Sequence, residues 1–308
     1  MKSYYRVSQG RGAVHAEEAH AGGFIGVGWL PDTNLQGESP ADFREFGQKF
    51  VPLYMQKNEA KTRIGAGLAC GQLYTVSFGI KKGDVVLVQN GQGEYFVGEV
   101  TGGYEYYPDH KLTHRRPVTW YPETLARELM SEALKNSSGG VTTVINLTKY
   151  APEIEALLEG KTPSVITTND ETIEDPSVFA LEKHLEDFLV KNWSTTTLAK
   201  NYDIFTEEGE AVGQQYPSDT GPIDILAVSK DNKELLVVEL KKGRASDAVV
   251  GQIQRYMGYV QGELAEPGQT VRGLIIALED DIKIQRALSV CTNIDFYTYK
   301  IQFTLEKK

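Results

Sequence analysis

Apolar and polar positions in the first half of the chain alternate in short runs closed by glycine or by turn-forming pairs. Phe24-Ile25-Gly26-Val27-Gly28-Trp29, Asp84-Val85-Val86-Leu87-Val88 and Tyr95-Phe96-Val97-Gly98-Glu99-Val100 each have strand length. Asn90-Gly91, between the last two, is a hairpin signal, because tight turns need residues that tolerate positive φ. Helical spacing predicts helices over Asp42–Leu53, Glu123–Leu134 and Tyr150–Leu158, the last closed by Gly160, and Val141–Leu147 reads as a strand. Residues 1–160 therefore read as a small, curved, mainly β domain with a few helices. Residues 161–176, rich in threonine and framed by prolines, have linker composition.

Residues 177–308 have a different texture. A helix is predicted over Ser177–Asn192, then strands at Ile223–Val228, Leu235–Leu240, Gly273–Leu278 and Ile294–Tyr299, with helices at Ser246–Leu264 and Asp281–Val290. Strands alternating with helices predict an α/β domain on a mixed central sheet, so the whole chain is α+β in class. Its 308 residues are enough for two such cores.

Charged residues inside the apolar runs point to chemistry. Asp224 interrupts Ile223-Asp224-Ile225-Leu226, and a carboxylate in a central strand is costly unless it is paired or metal-bound. After the turn Lys230-Asp231-Asn232-Lys233 comes Leu235-Leu236-Val237-Val238-Glu239-Leu240-Lys241. The two-residue strand period puts Glu239 and Lys241 on one face and Leu240 on the other, and a hairpin brings Asp224 beside them. Converging hard-oxygen ligands suit Mg²⁺ or Mn²⁺, and a neighbouring lysine can orient a water, which is the equipment for phosphodiester hydrolysis. On the preceding helix Leu181, Leu185, Phe188 and Leu189 form the apolar stripe. Glu182 falls roughly 20° from Leu189 at about 100° per residue, and Glu186 is expected further toward solvent. Glu182 is thus the expected third metal ligand with Asp224 and Glu239. Gln252, Arg255 and Tyr256 share one helix face, and Gln252 and Tyr256 are expected to reach the same site, the alternative for Tyr256 being core packing.

Gly-x-Ile-Asp-Ile-Leu-Ala at 221–227, Val-Val-Glu-Leu-Lys-Lys-Gly-Arg at 237–244 and Val-Gly-Gln-Ile-Gln-Arg-Tyr-Met-Gly at 250–258 together resemble PD-(D/E)xK endonucleases of the NucS/EndoMS and Mrr-like types. The resemblance covers roughly 177–300. It implies a restriction-endonuclease-like domain cutting DNA, with Asp224, Glu239 and Lys241 as the catalytic trio, Glu182 as the helix carboxylate, and Gln252 and Tyr256 as accessory residues. The first half does not resemble the N-terminal domain of NucS, so mismatch specificity is not carried over.

The first half bears Gly28-Trp29, Gly83-Asp84-Val85-Val86, Val97-Gly98-Glu99-Val100, Tyr104, Tyr106 and His114-Arg115-Arg116-Pro117-Val118-x-Trp120. This looks like the PUA/EVE-like reader domains of modification-dependent restriction enzymes. A flipped base is held by stacking and edge hydrogen bonds. The resemblance therefore implies a base cage of Trp29, Tyr104, Tyr106 and Trp120, phosphate contacts from Arg115 and Arg116, and a restriction or defence role; the competing reading makes these rings core. Lys242 and Arg244 are expected on phosphates or plain surface. Two further functions stay open: a structure-specific DNA-repair nuclease, and a nuclease switched on by a small nucleotide bound to the first domain.

The remaining bulk properties narrow the setting. A net charge of −10 works against DNA binding, although His114–Arg116 and Lys241–Arg244 are local basic clusters and a bound cation inverts the sign at a carboxylate site. Cys70 and Cys291 lack metal-ligand spacing, so neither a disulfide framework nor a zinc site is expected, which suits a reducing cytoplasm. No apolar run is long enough to span a membrane, and Met1–Gly10 lacks the apolar core of a signal peptide. Cutting two strands generally needs two active centres, so a homodimer is expected.

Overall fold

Val85, Val86, Leu87 and Val88 are all buried, yet they serve two different cores: Val86 and Val88 pack in one cluster, Val85 and Leu87 in another. A sheet covered on both faces explains why this strand is a continuous apolar run rather than an alternating one. In the computed structural model, which describes residues 2–58, 61–160, 185–207 and 209–300, the chain divides into two units, residues 1–167 and 168–308. The protein is α+β, with one sheet in each unit.

In the first unit the strands are β1 (Tyr4–Val7), β2 (Phe24–Val27), β3 (Val85–Gln89), β4 (Glu94–Val100), β5 (Glu105–Tyr106), β6 (His114–Trp120), β7 (Leu125–Ala126) and β8 (Val144–Asn146). Their order is β2-β6-β4-β3-β1-β8, with β5 on β6 and β7 on β4. Helix α1 (Ala16–Gly22) precedes β2; α2 (Phe43–Lys57) and α3 (Arg63–Tyr74) cover one face; α4 (Glu132–Ser138) and α5 (Ala151–Leu158) supply apolar residues to the other. The β3–β4 hairpin forms as predicted, but its loop is longer than a two-residue turn: Asn90 Oδ1 accepts from the amides of Gln92 (2.8 Å) and Glu94 (3.2 Å).

The first unit departs from the sequence reading at three places. The helix over Glu123–Leu134 is replaced by β7, a 3₁₀ turn at Arg127–Leu129 and α4, whose N-cap Ser131 accepts from the Leu134 amide at 3.1 Å. Helix α3 was not predicted, because Gly65, Gly67 and Gly71 lower helix propensity. Packing overrides it: a Cβ on Gly71 would lie 3.6 Å from the Phe43 ring, so small residues let α3 lie close to α2. The basic run His114–Arg116 is not a surface cluster but the buried start of β6.

In the second unit the strands are β9 (Tyr202–Ile204), β10 (Gln214–Ser218), β11 (Gly221–Ser229), β12 (Glu234–Arg244), β13 (Thr270–Glu279) and β14 (Ile294–Thr298), in the order β10-β11-β12-β13-β14 with β9 also on β11. The β10–β11 and β11–β12 pairs are antiparallel, β12–β13 and β13–β14 parallel, which makes the mixed sheet. Helix α6 (described over 185–191), α7 (Ala248–Tyr259) and α8 (Ile282–Leu288) complete the unit. One sheet face, with Ile225, Leu236, Val238 and Leu240, packs against Leu185 and Leu189 of α6. The other carries Val237 and Gly273, where a Cβ on Gly273 would meet Met257 and Ile253 of α7. Glu239 and Lys241 project on this second face by the strand period.

Candidate active site

The β11–β12 ladder runs from Val228 opposite Leu235 to Ile225 opposite Val238. One step beyond stand Asp224 and Glu239. There the Asp224 side chain takes over from the backbone: its Oδ2 accepts from the Leu240 amide at 2.8 Å. Its Oδ1 accepts from Gln215 Nε2 at 3.1 Å. Lys241 Nζ lies 3.0 Å from Oε1 of Glu239, which is 2% exposed. A carboxylate so buried is retained only with charge partners, and Lys241 is one. A register irregularity in β12 between Lys241 and Arg244 bends the strand just past the site.

Glu186 of α6 joins this group. It is 3% exposed and accepts from Gln214 Nε2 at 2.6 Å and from Gln215 Nε2. Gln214 also donates to Asp187 at 2.8 Å. This corrects the expectation that Glu186 faces solvent. Phe188, counted in the apolar stripe, is instead 63% exposed, whereas Leu185, Leu189 and Val190 pack on the core. The buried arc is therefore rotated away from 188, and 186 falls within it. Glu182, the residue expected in this role, lies outside the described residues.

Three carboxylates near one another set the electrostatics. Burial first, then the charges of Glu239 and Glu186, push the Asp224 carboxyl well above the usual carboxylate range; the Leu240 amide and Lys241 pull the other way. Excess negative charge of this kind is what a divalent cation relieves. The donor set also fits: Asp224 and Glu239 are hard oxygen ligands, with Glu186 reached through Gln215. A hydrated Mg²⁺ needs only one or two protein carboxylates.

Tyr256 and Gln252 stand at the same end of the sheet. Gln252 Nε2 is 3.4 Å from Tyr256 Oη, and Tyr256 is 4% exposed. Burial raises the tyrosine pKa, and Glu239 and Asp224 raise it further, so the hydroxyl lies within reach of their charge. A Cβ on Gly221, whose φ is +129°, would come within 3.1 Å of that hydroxyl, which places Tyr256 against the start of β11. Gln214, Gln215 and Gly221 were missed as site residues. The available signal was Tyr216, an aromatic β-former directly after Gln214-Gln215; it is fully buried and belongs to the strand ahead of β11.

The remaining expected positions separate. Arg244 is exposed and pairs with Glu279 at 3.5 Å, and the Lys242 side chain is outside the described residues. Arg115 is buried, lies 3.8 Å over the Phe24 ring and donates to Leu112 O; Arg116 is buried and donates to Ser77 O and Ile80 O. Neither guanidinium is an exposed phosphate contact, because β6 carries both into the unit's interior. The four aromatic positions do not share a cage. Trp120 packs on Phe96 and His20, whereas Tyr104 and Tyr106 pack on His114, and Tyr106 Oη donates to Pro31 O at 2.7 Å. Trp29 lies against the larger apolar cluster.

Comparison with known proteins divides along the same line. Residues 190–300 match the endonuclease NucS C-terminal domain family, and residues 5–148 match a family described only as a domain of unknown function, DUF8426. Endonuclease NucS of Methanocaldococcus jannaschii is 22% identical over 198 residues, 64% of each chain. Endonuclease NucS of Sulfolobus acidocaldarius is 26% identical over 168 residues, 54% of this chain and 59% of that protein. The chain thus spans less than two thirds of the length of these curated relatives. Solved structures with partial likeness include an EndoMS–dsDNA complex (TM-score 0.33, 12% identity, 71% of this chain and 66% of that one). Another is a repair endonuclease from Pyrococcus abyssi (TM-score 0.30, 15% identity, 72% and 80%). The C-terminal domain is similar to that of a NucS-type nuclease. A PUA-like assignment for the first unit finds no counterpart among these matches.

Proposed function

We propose that the chain is a metal-dependent DNA endonuclease of the structure-specific, repair type, which hydrolyses phosphodiester bonds at Asp224, Glu239 and Lys241. The observation that carries this reading is the end of the β11–β12 ladder, where Asp224 and Glu239 meet with Lys241 Nζ 3.0 Å from Glu239. The similarity of residues 190–300 to the NucS C-terminal domain supports it.

A Mg²⁺ or Mn²⁺ held by Asp224 and Glu239, with Glu186 beside them, would activate water and stabilise charge on the phosphate. The chain's own groups do the rest. The Leu240 amide fixes the Asp224 carboxylate, and Gln215 ties it to Glu186, so the donor oxygens are oriented before substrate arrives. Lys241 orients the attacking water and stabilises the developing negative charge. Tyr256 and Gln252 offer a hydroxyl and an amide to the phosphate.

This reading replaces modification-dependent restriction. The relatives bear the NucS name, and the expected aromatic cage is divided between separate ring clusters. The test is a substrate panel with Mg²⁺ or Mn²⁺: branched, flapped and mismatched DNA, a fully paired duplex, and duplexes with modified cytosine or adenine. Preferential cutting of one of the first three supports repair-type specificity; cutting confined to a modified duplex overturns it. Where both strands are cut, each needs a centre, so a homodimer is part of the proposal, and light scattering measures it.

A further inference from the structure

The segment that follows α3 closes with a π-type turn: the Ile80 amide donates to Thr75 O, five residues back, at 2.7 Å. Turns of this kind are uncommon and concentrate at functional sites. This one presents Ser77 and Phe78 to a cavity of ≈ 330 Å³, which Tyr104, Lys81 and Arg116 also line. The cavity is lined by residues of the first unit alone.

Its lining is unusual for a core. Ser77 is 1% exposed and Arg116 is 6% exposed. Among the described residues, neither Ser77 Oγ nor Arg116 Nε has a hydrogen-bond partner, although Arg116 spends its other nitrogens on Ser77 O and Ile80 O. Two buried donors without acceptors carry a desolvation cost that a ligand with acceptors would remove. Phe78 and Tyr104 line the same cavity, near-parallel at 19° with centroids 6.3 Å apart. Aromatic faces beside polar donors suit a flat heterocycle with acceptors on its edge.

A second cavity of ≈ 330 Å³ adjoins, and Lys81 lines both. Lys2 and Lys82 also line this second space, whose one carboxylate, Asp84, is occupied by the backbone amides of Ser3 and Lys81. Lys81, whose Nζ donates to Phe78 O, is thus shared by the two spaces, and Glu38, the carboxylate lining the first, is paired with Lys49 at 2.6 Å.

We propose that the first unit binds one nucleotide: its base stacks on Tyr104 and Phe78, its edge accepts from Ser77 and Arg116, and its phosphate lies toward Lys81 and Lys82. The same chemistry is offered by a free nucleotide and by an extrahelical nucleotide of DNA. This proposal does not depend on the nuclease reading.

The test is titration calorimetry of the full chain in EDTA, so that no cutting occurs. The probes are dAMP, dGMP, dCMP and TMP, then a duplex with one bulged nucleotide and its fully paired equivalent. Each is repeated with Ser77→Ala, Tyr104→Leu and Lys81→Glu. Ser77→Ala removes an unpartnered hydroxyl and should leave the fold intact, which a thermal melt checks. The expected result is binding weakened about tenfold by loss of the stacking ring and measurably weakened by Ser77→Ala and Lys81→Glu. Variant-sensitive binding of a mononucleotide assigns the site to free nucleotide; variant-sensitive preference for the bulged duplex, without mononucleotide binding, assigns it to DNA. No binding of any probe, or binding that Ser77→Ala and Lys81→Glu leave unchanged, overturns the proposal.

Discussion

Gln215 Nε2 lies 3.1 Å from Asp224 Oδ1, and it is held there by a backbone in the left-handed region, φ +51°, near the start of strand β10. The same amide donates to Glu186. A non-glycine residue at positive φ costs on the order of 1–3 kcal/mol and persists where the surroundings require it. Here the requirement is the alignment of two carboxylates.

Gln215→Gly separates the strain from the function. Glycine adopts the same φ without cost but leaves Asp224 and Glu186 without this donor, so the two effects on the melting temperature oppose, while Mn²⁺ affinity by calorimetry falls about 10–100-fold, as for lost supporting contacts at metal sites. Unchanged metal affinity with a lowered melting temperature would make Gln215 purely structural.

Tyr256→Phe should behave differently. The ring stays buried, and only a hydroxyl with one long contact to Gln252 is lost, so stability should change by about 1 kcal/mol or less. Cleavage should fall with the fold intact. An unchanged single-turnover rate would return Tyr256 to core packing.

His114 gives the first unit a pH dependence. Its ring is fully buried, between Tyr104 Oη at 2.8 Å from Nδ1 and Leu30 O at 3.2 Å from Nε2. A carbonyl only accepts, so Nε2 carries the hydrogen and neutral Nδ1 accepts from the tyrosine. Burial lowers this pKa below the ordinary value of 6.5. The unfolded chain therefore takes up a proton first as pH falls. Stability is full above the unfolded value and is lost between that value and the lower folded one. Melts from pH 8 to 5 should show the parent losing stability below about pH 6.5, and His114→Gln a flatter profile. Identical slopes would contradict this.

Much of the second unit was legible because its strands are long apolar runs and its charged exceptions are few. Asp224, Glu239 and Lys241 stood out for that reason, and period two placed the last two on one face. Glu186 was not legible: the helix stripe was read with Phe188 inside, and the structure leaves Phe188 exposed. Gln214 and Gln215 were hidden because glutamine in a short strand is ordinary; only pairing with β11 sets Gln215 against Asp224. In the first unit, His114–Arg116 read as surface charge because sequence cannot show that backbone carbonyls and aromatic faces await buried guanidiniums. Helix α3 was lost to its glycines, whose value lies in packing against α2.

The most direct test of the account is the single-turnover cleavage rate of a branched DNA by the full chain and by Glu239→Ala, across a Mn²⁺ titration. The expected result is metal-dependent cutting by the parent and a loss of at least about 100-fold in the variant at every metal concentration, with DNA binding retained. Cutting by Glu239→Ala at the parental rate would contradict the assignment of the site.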